Sequence, residues 1–506
     1  MAKKKTFVED IERTLYDIKN HDVPVYKAQQ GLTEEIIRDI AKQKHDPEWM
    51  LDFRLKSLET YNKMALPSWG PDLSELDMDE IVTYVRPDAK MTGNWKEVPE
   101  DIKDTFDRLG IPEAEKTSLA GVGAQYDSEV VYHSIQDSLV KQGVVYTDME
   151  TALVEHEELV KRYFMKLVPP KDHKFAALHG AVWSGGSFVY VPEGVHVDIP
   201  LQSYFRLNAP GAGQFEHTLI IVEKGASLHF IEGCSAPKYN VTNLHAGCVE
   251  LFVKEGARLR YSTIENWSRN MMNLNTKRAL VEKDGLIEWV SGSFGSHVSM
   301  LYPCSILHGE RARCEFTGVT FASKGQTLDT GATVIHTAPH TSATINTRSI
   351  SKAGGKAIYR SGVKVAKNAP FAKCSVNCES LMLDSISRSD TLPAMDIEGD
   401  AADIGHEAKI GRISDEAVYY LTSRGIDEDE ARAMIVRGFV EPIAKELPLE
   451  CRNEQSRQHR AGRHDGVRRK RHAESRNFQL HTHAHMALAR RQRRRPSGRA
   501  CRRRDI

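Results

Sequence analysis

The chain has no run approaching the roughly 18 apolar residues that a membrane helix requires. Behind its basic start, "MAKKKTFVEDIERTL", there is none of the apolar core that a secretory leader carries. Cysteine is scarce, with 8 in 506 residues. In a long chain without a leader, such thiols fit a reducing compartment, where they stay free for metal or redox use. These absences lead us to expect a cytoplasmic protein with no membrane association. There is also no G-x-x-x-x-G-K-[ST] motif, so any nucleotide chemistry must belong to a partner.

Net charge is missing too, 69 basic side chains standing against 69 acidic ones. The balance hides an asymmetry. Residues 451–506 hold 17 Arg and 1 Lys against 2 Glu and 2 Asp, a balance of +14, and the first 450 residues carry the compensating −14. The tail has almost no aliphatic residues and cannot bury enough apolar surface to order itself. Arg runs such as "RRQRRRP" allow a nucleic-acid reading. We rank above it a shift of reading frame after "ELPLE". Read one nucleotide out of step, the codons compatible with the tail permit "YAVMNSLVNIELEG", an ordinary amphipathic helix, which makes nucleic acid an unlikely partner.

Four segments follow. Residues 1–118 read as a helical domain. In "GLTEEIIRDIAKQK", Thr33 is the expected N-cap and Ile36, Ile37 and Ile40 recur at helical spacing. In "HDPEWMLDFRLKSLETY", Asp46 is the expected cap, Pro47 the first helical position, and Met50, Leu51, Phe53, Leu55 and Leu58 the apolar stripe. From 119 to 400, short strand-like runs recur between turns. "YVPEGVHV", "IVEKGASLHF" and "FVKEGARLRY" place Gly194, Gly225 and Gly256 at intervals of 31, and "LVEKDGLIEWV" adds Gly285. A fixed period of short strands means stacked coils, each burying its inner face on the next. The fold class expected is mainly β, a right-handed parallel β-helix flanked by helical domains. Residues 401–450 return to helix, with Ser414 and Asp427 as caps, Gly425 closing the first helix, and Ala431, Met434 and Ile435 forming an apolar stripe on the second. The fourth segment is the tail.

Chemistry concentrates in a few residues. Cys248, Cys304 and Cys314 lie in apolar runs and read as small buried hydrophobes. Cys234, in "FIEGCSAPKY", sits after a Gly and before a Pro at a strand end, where its side chain should be reachable. Cys374 and Cys378, in "FAKCSVNCESLMLD", are four apart and so share one face of a strand. A lone C-x₃-C is a weak zinc signal. The following "GHEA" adds His406 and Glu407, and thiolate, imidazole and carboxylate together can bind iron.

Five long stretches in order resemble one family. They are "GLTEEIIRDIAKQKHDPEWMLDFRLKSLE", "QYDSEVVYHSIQDSLVKQGVVYTDMETAL", "GSFVYVPEGVHVDIPLQSYFRLN", "IEGCSAPKY" and "IGHEAKIGRISDEAVYYLTSRGIDEDEARAMIVRGF". The chain resembles the SufB/SufD family of the SUF iron–sulfur cluster assembly system, from about residue 20 to 450. Within it the resemblance favours SufB, because SufD subunits typically lack the cysteine of "IEGC" and carry a "CSHGAT"-like segment where this chain has "GHEA". It implies an assembly scaffold rather than an enzyme. It implies the partners SufC, an ATPase, and SufD or a second SufB. A cysteine desulfurase with its sulfur-transfer partner would supply sulfur, and apo iron–sulfur proteins would receive the cluster. Cys234 matches the sulfur acceptor, and Cys378 the cysteine on which a transient [4Fe–4S] or [2Fe–2S] cluster is built. Glu407 matches a further ligand with His406 beside it, and reduced flavin is a candidate cofactor. Cys374 matches no family role. The family usually continues after "ELPLE" with a Tyr/Phe-Ala-Val-Glu pattern, which is missing here and which the shifted frame partly restores. The alternatives are a SufD-like structural subunit and a β-helix carbohydrate-active enzyme, the latter requiring clustered acids on one solenoid face.

Overall fold

A computed structural model describes residues 13, 16–20, 23–111, 118–399, 401–444 and 446. The Arg-rich tail, and with it the frame-shift reading, lies outside the described residues.

The centre of the chain winds into a β-solenoid of two facing sheets. In one sheet, strands Leu201–Arg206, Ser227–Ser235, Arg258–Asn266, Leu286–Ser293, Arg313–Ala322, Ser342–Ser351, Lys373–Met382 and Asp403–Arg412 pair in that order, each parallel to the next. The other sheet is built in the same way from the returning strands, ending at Arg388–Ile397. Alternation within a strand sends one set of side chains inward, and in Lys373–Met382 that set includes the buried Cys374, Val376 and Cys378. The final coil runs to Arg412, past the boundary at 400 expected from sequence. The segment expected to be all solenoid also contains four helices among its described residues, Asp137–Val140, Met149–Glu155, Glu157–Tyr163 and Lys174–Val182.

One corner of every coil needs a left-handed residue. Gly194, Gly225 and Gly256 supply it, as the repeat predicted, with φ of 71°, 67° and 66°. In the fourth copy the left-handed residue is Asp284 rather than Gly285, and Arg311, His340, Phe371 and Ala401 continue the series. The corners are tied coil to coil. The Gly194 N–H donates to the Lys224 carbonyl at 2.9 Å, Gly225 to Glu255 at 2.9 Å, Gly256 to Lys283 at 2.8 Å and Asp284 to Glu310 at 3.0 Å.

Helices Glu34–Lys44 and Glu48–Lys63 pack on Lys174–Val182 and the early coils. Thr33 caps the first through its hydroxyl, as expected. The second begins at Glu48, and Asp46 does not cap it; its carboxylate accepts a 2.6 Å bond from the buried Arg54 Nε instead. Gly180 lets the helices meet closely, since a Cβ there would stand 2.6 Å from Ser57 Oγ. At the far end, Ser414 caps Asp415–Thr422. Ala431 and Val436, on helix Glu428–Ala444, bury against Ile350 and Leu381 of the last coils. That stripe is intramolecular core, while Met434 stays 40% exposed.

Candidate functional site

The inward positions of the first sheet form columns running along the solenoid. One is Phe230, Tyr261, Trp289, Phe316, Ile345, Val376 and His406. Beside it runs Glu232, Thr263, Ser291, Gly318, Thr347 and Cys378. The next is Cys234, Glu265, Ser293, Thr320, Ser349 and Ser380. Two files of small polar residues therefore connect the coil of Cys234 with that of Cys378. The five intervening steps at about 4.8 Å each make roughly 24 Å. A cavity of about 20 Å³ lies on this route, lined by Ser291, Gly318, Thr320, Thr347, Ser349 and Ser380 among others. It is large enough for about one water-sized guest.

At the Cys234 end the interior is charged. Lys277 reaches in from the opposite sheet, its Nζ 2.8 Å from Glu232 Oε1, 2.8 Å from Thr263 Oγ1 and 3.4 Å from Glu265 Oε1. Glu232 also accepts bonds from the Tyr261 and Thr263 hydroxyls, and Glu265 accepts one of 2.6 Å from Asn273. Burial pushes the Glu232 carboxyl up, but the Lys277 ammonium, with the Tyr261 hydroxyl and His245, outweighs it and holds the group below the ordinary carboxylate value. Cys234 is 2% exposed, so it is not the reachable strand-end thiol that the sequence suggested. Burial first, then the negative charge of Glu232, raises its thiol well above the usual value. It is a protonated, shielded group in this state.

At the other end, Cys378 Sγ lies 3.4 Å from His406 Nε2, 3.5 Å from the Glu407 carbonyl oxygen and 3.9 Å from Thr391 Oγ1. His406 comes from the neighbouring coil, in register with Val376, on the same inward face as Cys378. Glu407 is in register with Asn377 and points the other way. Its carboxylate is 63% exposed and pairs with Lys409 at 3.0 Å. The structure thus brings Cys378 and His406 together and leaves the Glu407 side chain outside. Burial raises the Cys378 thiol, opposed by the Thr391 hydroxyl. Cys374 packs in the apolar core, where burial pushes its thiol up to about 12.

Two comparisons bear on this arrangement. A model of the SufBD protein N-terminal region matches residues 34–203, and one of the SufBD core domain of SUF-system FeS cluster assembly matches residues 205–439. The chain belongs to the SufBD family. An iron–sulfur cluster assembly SufBD family protein of Staphylococcus aureus (strain MRSA252) is 51% identical over 457 residues, covering 90% of this chain and 98% of the relative. One from Staphylococcus haemolyticus (strain JCSC1435) is similar to the same extent. SufBD membership settles the system, iron–sulfur cluster assembly, against the carbohydrate-active alternative. Among the described residues no helix is long and apolar enough to cross a membrane.

Sequence reasoning missed Lys277, Glu232 and Glu265. Lys277 falls in phase with Ala279 and Val281 in "TKRALV", which marks it as inward-facing once the strand is known. It also missed that Cys248, read as a plain buried hydrophobe, lies beside His179 and His217.

Proposed function

We propose that the chain is a SufB-type scaffold of the cytoplasmic SUF system, taking sulfane sulfur at Cys234 and assembling a nascent cluster at Cys378. The supporting observation is the pair of Ser/Thr/Gly files joining the two cysteines inside one solenoid. A persulfide sulfur is polar enough to need hydroxyl neighbours and reactive enough to need shielding from bulk thiols. At Cys378 the thiolate and the His406 imidazole provide a soft and a borderline donor for iron. Mixed ligation by few protein groups keeps the cluster releasable to apo-proteins. Glu407 sits on the outer face of the same strand, available to a partner-facing ligand sphere rather than to the inward one.

The partner reading has its own support. Strands Arg388–Ile397 and Asp403–Arg412 are the last of their sheets, and they expose Leu392, Met395, Ile397 and Ile410 by 43–46%. An uncapped strand edge with apolar side chains invites another chain. SufD, or a second copy, would cover it beside Cys378. Tyr419 and Tyr420, 75% and 57% exposed on the terminal helix pair, are the docking candidates for the ATPase SufC.

Anaerobic reconstitution with iron and sulfide tests the assignment. Cluster absorption should be lost in Cys378→Ala and kept in Cys374→Ala; equal loading of both would refute it. Ser291→Leu should fill the 20 Å³ hollow. With a two-electron reductant present to turn sulfane sulfur into sulfide, it should stop sulfur supplied as a Cys234 persulfide from reaching the cluster, while free sulfide still builds one.

A further inference from the structure

We propose that His179, His217 and Cys248 form a second metal site, holding one resident divalent cation of the zinc class. None of these residues belongs to the route between Cys234 and Cys378, so the inference does not rest on the scaffold reading. His179 comes from the buried helix Lys174–Val182, and His217 and Cys248 open two neighbouring strands, where they are register partners. All three are buried to within 1% exposure. One nitrogen of each imidazole and the Cys248 sulfur lie within 4.8 Å of one another.

The outer contacts of the two imidazoles decide their tautomers. His179 Nδ1 lies 3.0 Å from the Ala246 carbonyl oxygen, which can only accept, so Nδ1 carries the hydrogen and Nε2 has a lone pair. His217 Nε2 lies 3.3 Å from Glu250 Oε2 without hydrogen-bond alignment, and it makes no hydrogen bond to any other group. Glu250 already accepts from the backbone N–H groups of Met165, Leu167 and Val168, so it too acts as an acceptor toward His217. The carboxylate's negative charge beside Nε2 favours the hydrogen of a neutral His217 there, which leaves Nδ1 with a lone pair. The two lone-pair nitrogens, His179 Nε2 and His217 Nδ1, then face each other at 3.0 Å. Two lone pairs do not hold each other at that distance; something positive belongs between them.

A cation can engage both facing nitrogens and the nearby sulfur at once, which a proton shared between the two nitrogens cannot. Two nitrogens and a sulfur bound to tetrahedral zinc at about 2.0–2.3 Å stand about 3.4–3.6 Å apart, within the span found here, 3.0 Å between the nitrogens and no more than 4.8 Å across the set. Each histidine would donate its outer N–H to a carbonyl or carboxylate, as metal-bound histidines usually do. Phe164 and Trp183 wall the site with apolar surface. Binding exchanges the Cys248 thiol proton for the cation and releases that proton to solvent, with no electron transferred. Full burial implies uptake during folding, pinning helix Lys174–Val182 to the first coils.

The test uses the full chain carrying Cys378→Ala, which removes the scaffold thiol, purified from cells grown with Zn²⁺ or with Co²⁺. The expected result is one Zn²⁺ per chain retained through dialysis against EDTA. The cobalt form should show a thiolate-to-cobalt charge-transfer band that disappears in Cys248→Ser. Glu250→Gln should weaken retention about 10–100-fold with unchanged circular dichroism. A folded Cys378→Ala chain without retained metal overturns the site whatever the variants do, and so does a charge-transfer band surviving in Cys248→Ser.

Discussion

Replacing Lys277 by Met should be among the most damaging single changes inside the solenoid. The Lys277 side chain is 1% exposed and serves two buried carboxylates, Glu232 at 2.8 Å and Glu265 at 3.4 Å. Removing one member of a buried ion pair strands the other charge and costs about 3–5 kcal/mol. A whole domain has only about 5–15 kcal/mol in hand. The pH dependence should change as well. In the parent, Glu232 is held below its unfolded value, so its contribution is present above the ordinary carboxylate range and lost as pH falls through the lower, folded value. Without Lys277, burial should outweigh what still opposes it, the Tyr261 hydroxyl bond and the His245 charge, and carry the carboxyl above its unfolded value. The variant should therefore lose further stability as pH rises from 5 to 7, while the parent does not. Urea unfolding at both pH values reads the effect, and amide exchange in Ser227–Ser235 and Thr276–Val281 locates it. Lys277→Met/Glu232→Gln should recover part of the loss, since the Tyr261 and Thr263 hydroxyls can still donate to the amide oxygen. A single variant within about 0.5 kcal/mol of the parent, the range of an ordinary surface change, would refute the charged-core account.

Two further outcomes follow from the geometry. His406→Ala should lower cluster loading of the isolated chain, whereas Glu407→Gln should leave it near the parent value, because that carboxylate faces Lys409 and solvent; matching losses in metal analysis would mean that the last strand turns over when iron binds. Burial holds His133 and His336 down at about 4. The unfolded chain then takes up their protons first, so stability should fall as pH drops from 6.5 toward 4, and thermal unfolding of His336→Asn should show a shallower fall over that window.

How far the sequence could be read depended on which residue filled each corner. While Gly194, Gly225 and Gly256 occupied the left-handed position, the coil repeat was plain. It faded where Asp284, Arg311, His340, Phe371 and Ala401 adopted the same conformation at a cost of roughly 1–2 kcal/mol each, since no single residue type marks it. Helix ends were legible through Thr33 and Ser414 because their caps are local. Asp46 misled because its carboxylate answers to Arg54, eight residues on. Alternation correctly put Cys374 and Cys378 on one face. The same rule places Glu407 outward, but only once the coil register, Cys378 opposite Ala408, is known. Lys277 with Glu232, and His179 with His217 and Cys248, meet only through tertiary packing, so no local pattern announces them.

If Cys234 takes up sulfur as proposed, its burial sets a condition on delivery that can be tested through its cover. The residues following Cys234 are held by the described N-terminal residues. Arg13 donates to the Ala236 carbonyl at 3.0 Å and to the Trp267 carbonyl at 2.9 Å. The buried Arg206 donates to the Tyr16 carbonyl at 2.8 Å and to Ser235 Oγ at 3.0 Å. If a donor thiol approaches Cys234 from this side, the clasp has to open first. Hydrogen bonds from a charged group contribute about 1.5–3 kcal/mol, and each 1.4 kcal/mol is a tenfold change in population. Arg13→Ala should therefore raise the open fraction, and with it the rate of Cys234 alkylation in the folded chain, by about tenfold or more. Alkylation followed by peptide mass spectrometry separates this from Cys374, whose burial lies in the solenoid core far along the chain and whose rate should not change. Equal Cys234 rates in parent and variant would mean that sulfur enters by another route, through the solenoid wall rather than past its N-terminal clasp.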